Sequence, residues 1–258
     1  MSPTMRPVEC VRDGRAATLT LRRPPLNILD LEVLGALGDD LDALASDPSL
    51  AVVIVRGAGE AAFSAGASVQ DHAPERLAAM LAAMHRVVRA LRGLPAIAVA
   101  AVGGHCLGGG MEIAMACDMV IATAGSRFGQ PEVKLGCFAP AAAALYPSRL
   151  GPGCALELLA LGEPIGAERA HALGLVQRLL PDGGLDEGCA RLAAQLAALS
   201  TPVLRLIKRA TAAGRDLPFA AALAETERLY RDDLAQLDDM REGIAAFLEK
   251  RQPAWSHR

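Results

Sequence analysis

The chain has 258 residues, 52% of them hydrophobic but only 3% aromatic, and its formal net charge is −3. A chain of this length buries a sizeable core, here built mostly from Ala, Leu and Val, in one large domain or a domain with a helical appendage. The near-neutral charge supplies no basic field for nucleic acid, and no stretch predicts a membrane-spanning helix or a signal-peptide core.

The cysteines indicate a reducing compartment. All six are scattered along the chain, without a C-x-x-C pair. This pattern favours reduced, mostly buried thiols over a disulfide framework. The spacing of Cys106 and Cys117 beside His105 does not match a structural zinc site. We therefore expect a cytoplasmic protein without a metal centre.

The first part of the chain predicts alternating strands and helices. Ala16–Leu21 has the alternation of a strand, and the Arg-Arg-Pro-Pro run that follows ends it. Asp30 is placed to cap a helix that extends to about Ala45. Ala51–Arg56 is a short apolar run typical of a strand buried on both faces. Apolar residues then recur with a helical period over 74–91.

Small residues fill the loop that precedes this last helix. The sequence Phe-Ser-Ala-Gly-Ala-Ser occupies 63–68, so the backbone itself is accessible to a ligand. A tight turn packed under a helix explains the composition equally well. His72 follows the loop and is a candidate active-site group, whereas His85, within the helix, is interpreted as a core or surface residue.

The stretch from Ala96 to Gly136 carries the strongest chemical signal. The apolar run Ala96–Val102 predicts a strand that leads into a glycine-rich turn and a buried helix beginning near Met111. Such a turn leaves backbone N–H groups unpaired, and glycine lets a ligand approach them. Glu112 lies in the first turn of this apolar helix, and Glu132 follows another glycine turn. Two isolated carboxyls in apolar surroundings indicate acid–base chemistry, although a charge interaction with the helix N-terminus is the alternative for Glu112.

Helices dominate the rest of the chain. Gly174 is expected at the C′ position of one of them, before a short strand at 176–180. Alternating units followed by helices predict an α/β body with a helical C-terminal region. The helices are predicted over 155–161, 165–173, 186–199, 201–213, 217–234 and 239–251.

Four segments together identify a family. FSAGAS at 63–68, HCLGGGMEIAMACD at 105–118, FGQPEVKLG at 128–136 and AHALGLVQRLLP at 170–181 resemble, in order and spacing, the enoyl-CoA hydratase/isomerase (crotonase) superfamily. The resemblance covers nearly the whole chain. It implies a ClpP/crotonase-like spiral of ββα units over 1–195 and a helical region over 196–258 that forms trimers or dimers of trimers. It also implies an acyl-CoA thioester substrate and no metal or redox cofactor, with coenzyme A entering only as part of the substrate.

The resemblance also implies the roles of individual residues. Glu112 would act mainly on water and Glu132 mainly on the proton at the α carbon. The N–H groups of Ala67 and Gly109 would form an oxyanion hole. The residues expected to contact the CoA or acyl part of the substrate are Leu26, Ala65, Ser68, Val69, His72 and Phe138.

One segment departs from the family pattern. Most similar hydratases carry Gly-Ala-Gly-Gly after the second glutamate, whereas this chain has Phe138 to Ala143 with a proline at 140. Proline fixes φ and alanine has fewer backbone states than glycine, so this segment is stiffer. Together with Asp71-His72 it resembles the cyclic dienoyl-CoA hydratases of the superfamily, and predicts a rigid pocket, walled by Phe138, for a ring such as cyclohexa-1,5-diene-1-carbonyl-CoA.

The sequence is also compatible with other functions. The segment is also compatible with a short-chain linear enoyl-CoA hydratase. An enoyl-CoA isomerase of the same superfamily needs only one base, so the presence of both glutamates favours a hydratase. A nucleotide-binding module is a more distant alternative, since the phosphate-loop pattern is absent and GGHCLGGG is a poor dinucleotide fingerprint. An RNA-binding relative is disfavoured by the lack of a basic stripe.

Overall fold

The computed structural model describes residues 6–258, and two sheets organise this part of the chain. The larger has six strands in the order β1-β2-β3-β5-β7-β10 and the smaller has four in the order β4-β6-β8-β9. The strands are β1 Val8–Asp13, β2 Ala16–Leu21, β3 Val52–Gly57, β4 Ala62–Ser64, β5 Ile97–Val102, β6 His105–Leu107, β7 Met119–Thr123, β8 Arg127–Gly129, β9 Ile165–Gly166 and β10 Arg178–Leu180.

Helices cover both faces of the larger sheet. Those preceding the C-terminal region are α1 Leu31–Ala45, α2 Pro74–Gly93, α3 Gly109–Ala116, α4 Pro140–Leu150, α5 Pro152–Leu161, α6 Ala167–Ala172 and α7 Leu185–Ala197. The C-terminal region contains α8 Thr201–Asp216, α9 Phe219–Arg228 and α10 Asp238–Glu249. Within 6–258, no helix is long and apolar enough to cross a membrane.

The core follows from the alternation of side chains along buried parallel strands. Among the described residues, β1 is the one strand of the larger sheet that is antiparallel to its neighbour, and the other pairs are parallel. In β3, Val53 and Val55 pack toward α1 and α2, whereas Val52 and Ile54 belong to a second cluster with residues of α7. Because both faces of the larger sheet are covered, the sequence of β3 is a nearly continuous apolar run.

The smaller sheet positions the site. Strands β4, β6 and β8 are parallel neighbours, with Ser64 beside Cys106 and Cys106 beside Phe128. The carboxyl ends of parallel neighbours meet at one edge of a sheet. The loops that leave Ser64, Leu107 and Gly129 therefore converge there.

Most predicted elements are confirmed. The strand Ala16–Leu21 has the predicted bounds, and α1 begins where Asp30 accepts a hydrogen bond from the N–H of Val33. Helix α2 extends two residues beyond its predicted end at Leu91. Gly174 follows α6 with φ +79°, as a C′ glycine does.

Two predicted helices are wrong in extent. The segment 165–173 is not one helix, because Ile165–Gly166 pairs with β8 before α6 begins. The segment 217–234 is interrupted: α9 ends at Arg228 and is followed by a π-helical turn and a 3₁₀ turn.

Candidate active site

The loop after β4 is fixed so that one N–H group stays unpaired. Leu29 donates its N–H to the carbonyl oxygen of Gly66 at 2.9 Å, and Ser68 donates to the carbonyl oxygen of Leu29 at 3.0 Å. These bonds hold the backbone on both sides of Ala67. Within residues 6–258, the N–H of Ala67 itself donates no hydrogen bond. It is available to a ligand.

A second unpaired N–H group lies beside the first, at the start of α3. Gly108 has φ +52°, a conformation suited to glycine, and donates its N–H to the carbonyl oxygen of Gly129. Gly109, the first residue of α3, donates no hydrogen bond within the described chain. A Cβ atom added at Gly109 would lie 3.3 Å from the nitrogen of Ala67. The two N–H groups therefore flank the same small volume.

Glu112 is a buried carboxyl held by the backbone of α4. It lies in the first turn of α3 with 4% of its surface exposed. Its Oε1 accepts a hydrogen bond from the N–H of Ala142 at 2.9 Å. Burial raises the pKa of Glu112 to about 7, since loss of water disfavours the charged form more than this bond favours it.

Glu132 is the second carboxyl, on a 3₁₀ turn over Pro131–Leu135. Both the N–H and the thiol of Cys137 approach the backbone oxygen of Glu132, at 3.2 and 3.4 Å, and steady this turn. Oε1 lies 2.8 Å from the position of a Cβ atom at Gly108, so the carboxyl reaches the glycine turn. Oε2 is buried and has no hydrogen-bond partner among residues 6–258. Burial raises the pKa of Glu132, and its own backbone N–H and nearby His72 oppose this effect.

The two carboxyls influence each other. The charge of Glu132 contributes to the raised pKa of Glu112. Two interacting carboxyls whose pKa values are both raised share protons as a pair. Acid–base chemistry near neutral pH requires this state.

His72 presents one ring nitrogen to the same region. Its Nδ1 lies 2.9 Å from the backbone oxygen of Ser68. A carbonyl oxygen only accepts, so Nδ1 donates the hydrogen of this bond and Nε2 is the ring nitrogen left free of it. The side chain lines the cavity that contains both glutamates.

The cavity has a volume of about 140 Å³, and its lining residues other than Glu112, Glu132, His72 and His85 are apolar or glycine. The glycine turn and the loop after β4 form one side. Helix α2 forms the other, through side chains three and four residues apart. The lining residues contributed by α2 are Leu77, Met80, Leu81, Met84 and His85.

The structure brings together most of the residues predicted for the site. Glu112, Glu132, Ala67 and Gly109 all line the cavity, and so do Ala65, Val69 and His72.

The prediction that Phe138 walls the pocket is wrong. Phe138 is 69% exposed in this chain and does not line the cavity. Pro140 lines the cavity instead, and the alanines after it form the first turn of α4. The stiff segment therefore positions the Ala142 N–H against Glu112 and does not supply an aromatic wall.

Leu26 and Ser68 also lie outside the cavity wall. Leu26 is 42% exposed, and Ser68 is buried with its hydroxyl bonded to Oε1 of Gln70. Their contact with the CoA part of a substrate stays a prediction.

The sequence did not predict that side chains of α2 line the cavity. Met80 and Met84 have the i, i+4 spacing of a buried helix face, which is also the signature of an ordinary core. The sequence predicted a core or surface position for His85, yet His85 lines the cavity, and its Nε2 is buried with no partner in the part of the chain that the structure describes. Only the histidine, a polar residue in the cavity-facing stripe, distinguished this helix from a purely structural one.

Comparison with known proteins gives a consistent result. A family model described as enoyl-CoA hydratase/isomerase matches residues 13–258. The chain is 38% identical over 253 residues to cyclohexa-1,5-dienecarbonyl-CoA hydratase of Thauera aromatica, covering 96% of this chain and 95% of that protein. It is 35% identical to 2,3-dehydroadipyl-CoA hydratase of Escherichia coli, covering 96% and 97% of the two chains.

Solved structures show the same fold. An enoyl-CoA hydratase from Bacillus anthracis superposes with a TM-score of 0.93 at 29% identity, covering 98% of this chain and all of that one. The predicted crotonase-like α/β fold is thereby confirmed. The chain belongs to the enoyl-CoA hydratase/isomerase family and is an enzyme of the hydro-lyase type.

Proposed function

We propose that this hydratase adds water to a conjugated cyclic dienoyl-CoA, cyclohexa-1,5-diene-1-carbonyl-CoA. The observation that carries the proposal is the geometry of the cavity: one buried carboxyl, one partly buried carboxyl and two unpaired N–H groups line one small space. The N–H groups of Ala67 and Gly109 are the proposed oxyanion hole for the thioester oxygen. Such donors typically contribute about 3–4 kcal/mol each to transition-state stabilisation.

The proposed reaction is redox-neutral and needs only acid–base groups. Glu112 removes a proton from water while the water oxygen bonds to the ring carbon β to the thioester. The electrons of that double bond move toward the thioester oxygen, where the two N–H groups stabilise the enolate. Glu132 delivers the compensating proton, either to the α carbon or, through the second double bond, to the far end of the diene. Coenzyme A takes part only as the carrier of the acyl group.

His72 is proposed as an additional hydrogen-bonding group for the water or the ring. Its Nδ1 hydrogen-bonds to the backbone oxygen of Ser68, so Nε2 is the ring nitrogen that can contact the water or the substrate ring. His72 also lies close enough to Glu132 to oppose the rise in the pKa of that carboxyl.

The size of the cavity supports a compact acyl group. An apolar protein cavity of about 150 Å³ accommodates a benzene molecule. The cavity here, about 140 Å³, matches a six-membered ring in scale. The 38% identity to a hydratase named for this cyclic substrate supports the same choice.

The deciding experiment compares kcat/KM for cyclohexa-1,5-diene-1-carbonyl-CoA and crotonyl-CoA, with Glu112→Gln protein as the control for uncatalysed hydration. We expect a clear preference for the cyclic substrate. A preference for crotonyl-CoA would instead identify a short-chain linear enoyl-CoA hydratase. Double-bond migration without water uptake would identify an isomerase.

We also propose that residues 196–258 assemble the chain into a homotrimer or a dimer of trimers. Large apolar side chains of this region are exposed in the single chain, and a second copy of the same region would cover them. The most exposed are Phe219, Phe247 and Leu248.

A further inference from the structure

A second cavity lies at the C-terminal end of α2. Its volume is about 600 Å³, and it is bounded by the end of α2, the start of β5 and helix α8. Arg92 and Gly93 line it, whereas Leu77–His85 of the same helix line the first cavity. At about 1.5 Å per residue, Arg92 lies roughly 10 Å along the helix from His85 and roughly 22 Å from Leu77.

The second cavity is strongly cationic. Six basic side chains line it, against one carboxylate, Asp118. Asp118 forms a salt bridge with Lys208, whose Nζ lies 2.6 Å from the carboxylate. Outside the lining, Asp216 pairs with Arg215 and Arg92, and Asp233 pairs with Arg209. The six basic residues are Arg92, Arg149, Arg205, Lys208, Arg209 and Arg215.

Two of these guanidinium groups have no carboxylate partner within residues 6–258. Arg149 donates only to the backbone oxygen of Cys117, at 2.5 Å. Arg205 donates to the backbone oxygens of Asp47 and Leu50, and its Nε is buried without a partner.

The surroundings of Arg149 make its charge costly. Burial lowers the pKa of Arg149 by removing water from the cation. The nearby thiol of Cys117 and carboxylate of Asp118 oppose this effect, and the like charges of Arg215 and Arg92 add to it. Cations that are partly buried and unpaired destabilise a fold unless an anion compensates them.

We propose that this cavity binds a small polyvalent anion carrying phosphoryl groups, at a site separate from the acyl-CoA site. Guanidinium groups donate two parallel N–H bonds and match phosphoryl oxygens in geometry. The volume exceeds what a single halide fills, and the excess of guanidinium over carboxylate favours more than one negative charge. An anion there would bridge α8 to the end of α2, and so tie the C-terminal region to the α/β body.

The test titrates inorganic pyrophosphate into the full-length protein at constant ionic strength, by calorimetry and thermal unfolding. Because coenzyme A itself contains a pyrophosphate group, each titration is repeated on protein saturated with coenzyme A. We expect saturable binding, a raised Tm, and both effects retained with coenzyme A bound. Competition by coenzyme A would assign the anion to the acyl-CoA site and overturn the proposal.

Two variants test whether pyrophosphate binds in the second cavity. Arg205→Gln and Arg209→Gln should each weaken pyrophosphate binding by about tenfold or more, as expected for loss of a charge-assisted hydrogen bond. Arg209 is mostly exposed, so its replacement tests the site even if Arg205→Gln does not fold. Arg178→Gln is the matched control, since Arg178 is exposed and bonds Gln195 away from the cavity. Equal binding by all three variants, or no binding because a second copy fills the cavity, would contradict the proposal.

Discussion

At the scale of single residues, the proposed chemistry depends on the proton-carrying ability of Glu112 and Glu132. Glutamine keeps the shape of each side chain and can still hydrogen-bond to groups such as the Ala142 N–H, but it cannot transfer a proton. We therefore expect Glu112→Gln and Glu132→Gln each to lower kcat for hydration by about 10²–10⁴-fold, with coenzyme A affinity nearly unchanged. Steady-state kinetics and calorimetric titration of coenzyme A measure the two effects.

Glu168→Gln is the control for this pair of variants. Glu168 is an exposed glutamate in the first turn of α6 and does not line the cavity. It should keep wild-type kcat. Near-wild-type turnover in either cavity variant would show that its carboxyl is structural.

The raised pKa of Glu112 also predicts a pH-dependent stability. Because the folded-state pKa is about 7 and the ordinary value is 4.5, the folded chain binds this proton more tightly than the unfolded chain. The resulting stabilisation is present below pH 4.5 and is lost as the pH rises through 7. The loss amounts to about 3 kcal/mol. Glu112→Gln lacks this titration.

Chemical denaturation of wild-type and Glu112→Gln protein from pH 4.5 to 8, at one protein concentration, measures the effect. Wild type should lose stability relative to the variant as the pH rises. A constant difference would mean that Glu112 ionises in the folded chain as it does in water.

At the scale of elements, the turn from β6 into α3 is expected to tolerate no side chain at Gly109. A Cβ atom there would lie 2.6 Å from the terminal methyl of Met84 and 3.3 Å from the Ala67 nitrogen. Gly109→Val should therefore displace the proposed oxyanion donors and lower kcat about 10²-fold or more. Gly153→Val is the matched control, because Gly153 is also near the start of a helix but has no atom within 4 Å of an added Cβ. Equal kcat in the two folded variants would exclude the Gly109 amide as a donor.

The sequence predicted long elements better than short ones. Helices α1 and α2 and strand β3 carry clear periodicity or a continuous apolar run, and their positions were predicted closely. The smaller sheet was not predicted, because its strands have only two or three residues, too few to show a period. Strand β1 was missed as well, since four of its six residues are exposed and its apolar pattern is weak.

The residues of the site were also predicted unevenly. The glutamates and the glycine turn were identified from local sequence and from the family resemblance. The apolar wall was misassigned to Phe138, because the sequence does not reveal whether the segment before α4 turns inward or outward. Met80 and Met84 reach the site only through the packing of α2 against α3, a contact between residues distant in the chain.

At the scale of the whole molecule, exposed apolar surface concentrates in the C-terminal region. Ile244, Phe247 and Leu248 are 53%, 83% and 73% exposed and share one face of α10, at i, i+3 and i+4. A face of this kind marks a contact surface for another chain. It supports the proposed assembly through residues 196–258.

Ile244→Lys with Phe247→Lys is therefore expected to dissociate the assembly, because two desolvated cations on this face would oppose its burial. Light scattering during size-exclusion chromatography should give a multiple of three times the 26.8 kDa chain for wild type and a smaller mass for the double variant. Leu156→Lys tests whether the effect belongs to this region, since Leu156 is 67% exposed but lies in α5. Dissociation by Leu156→Lys alone, with the double variant intact, would place the interface on the α/β body instead.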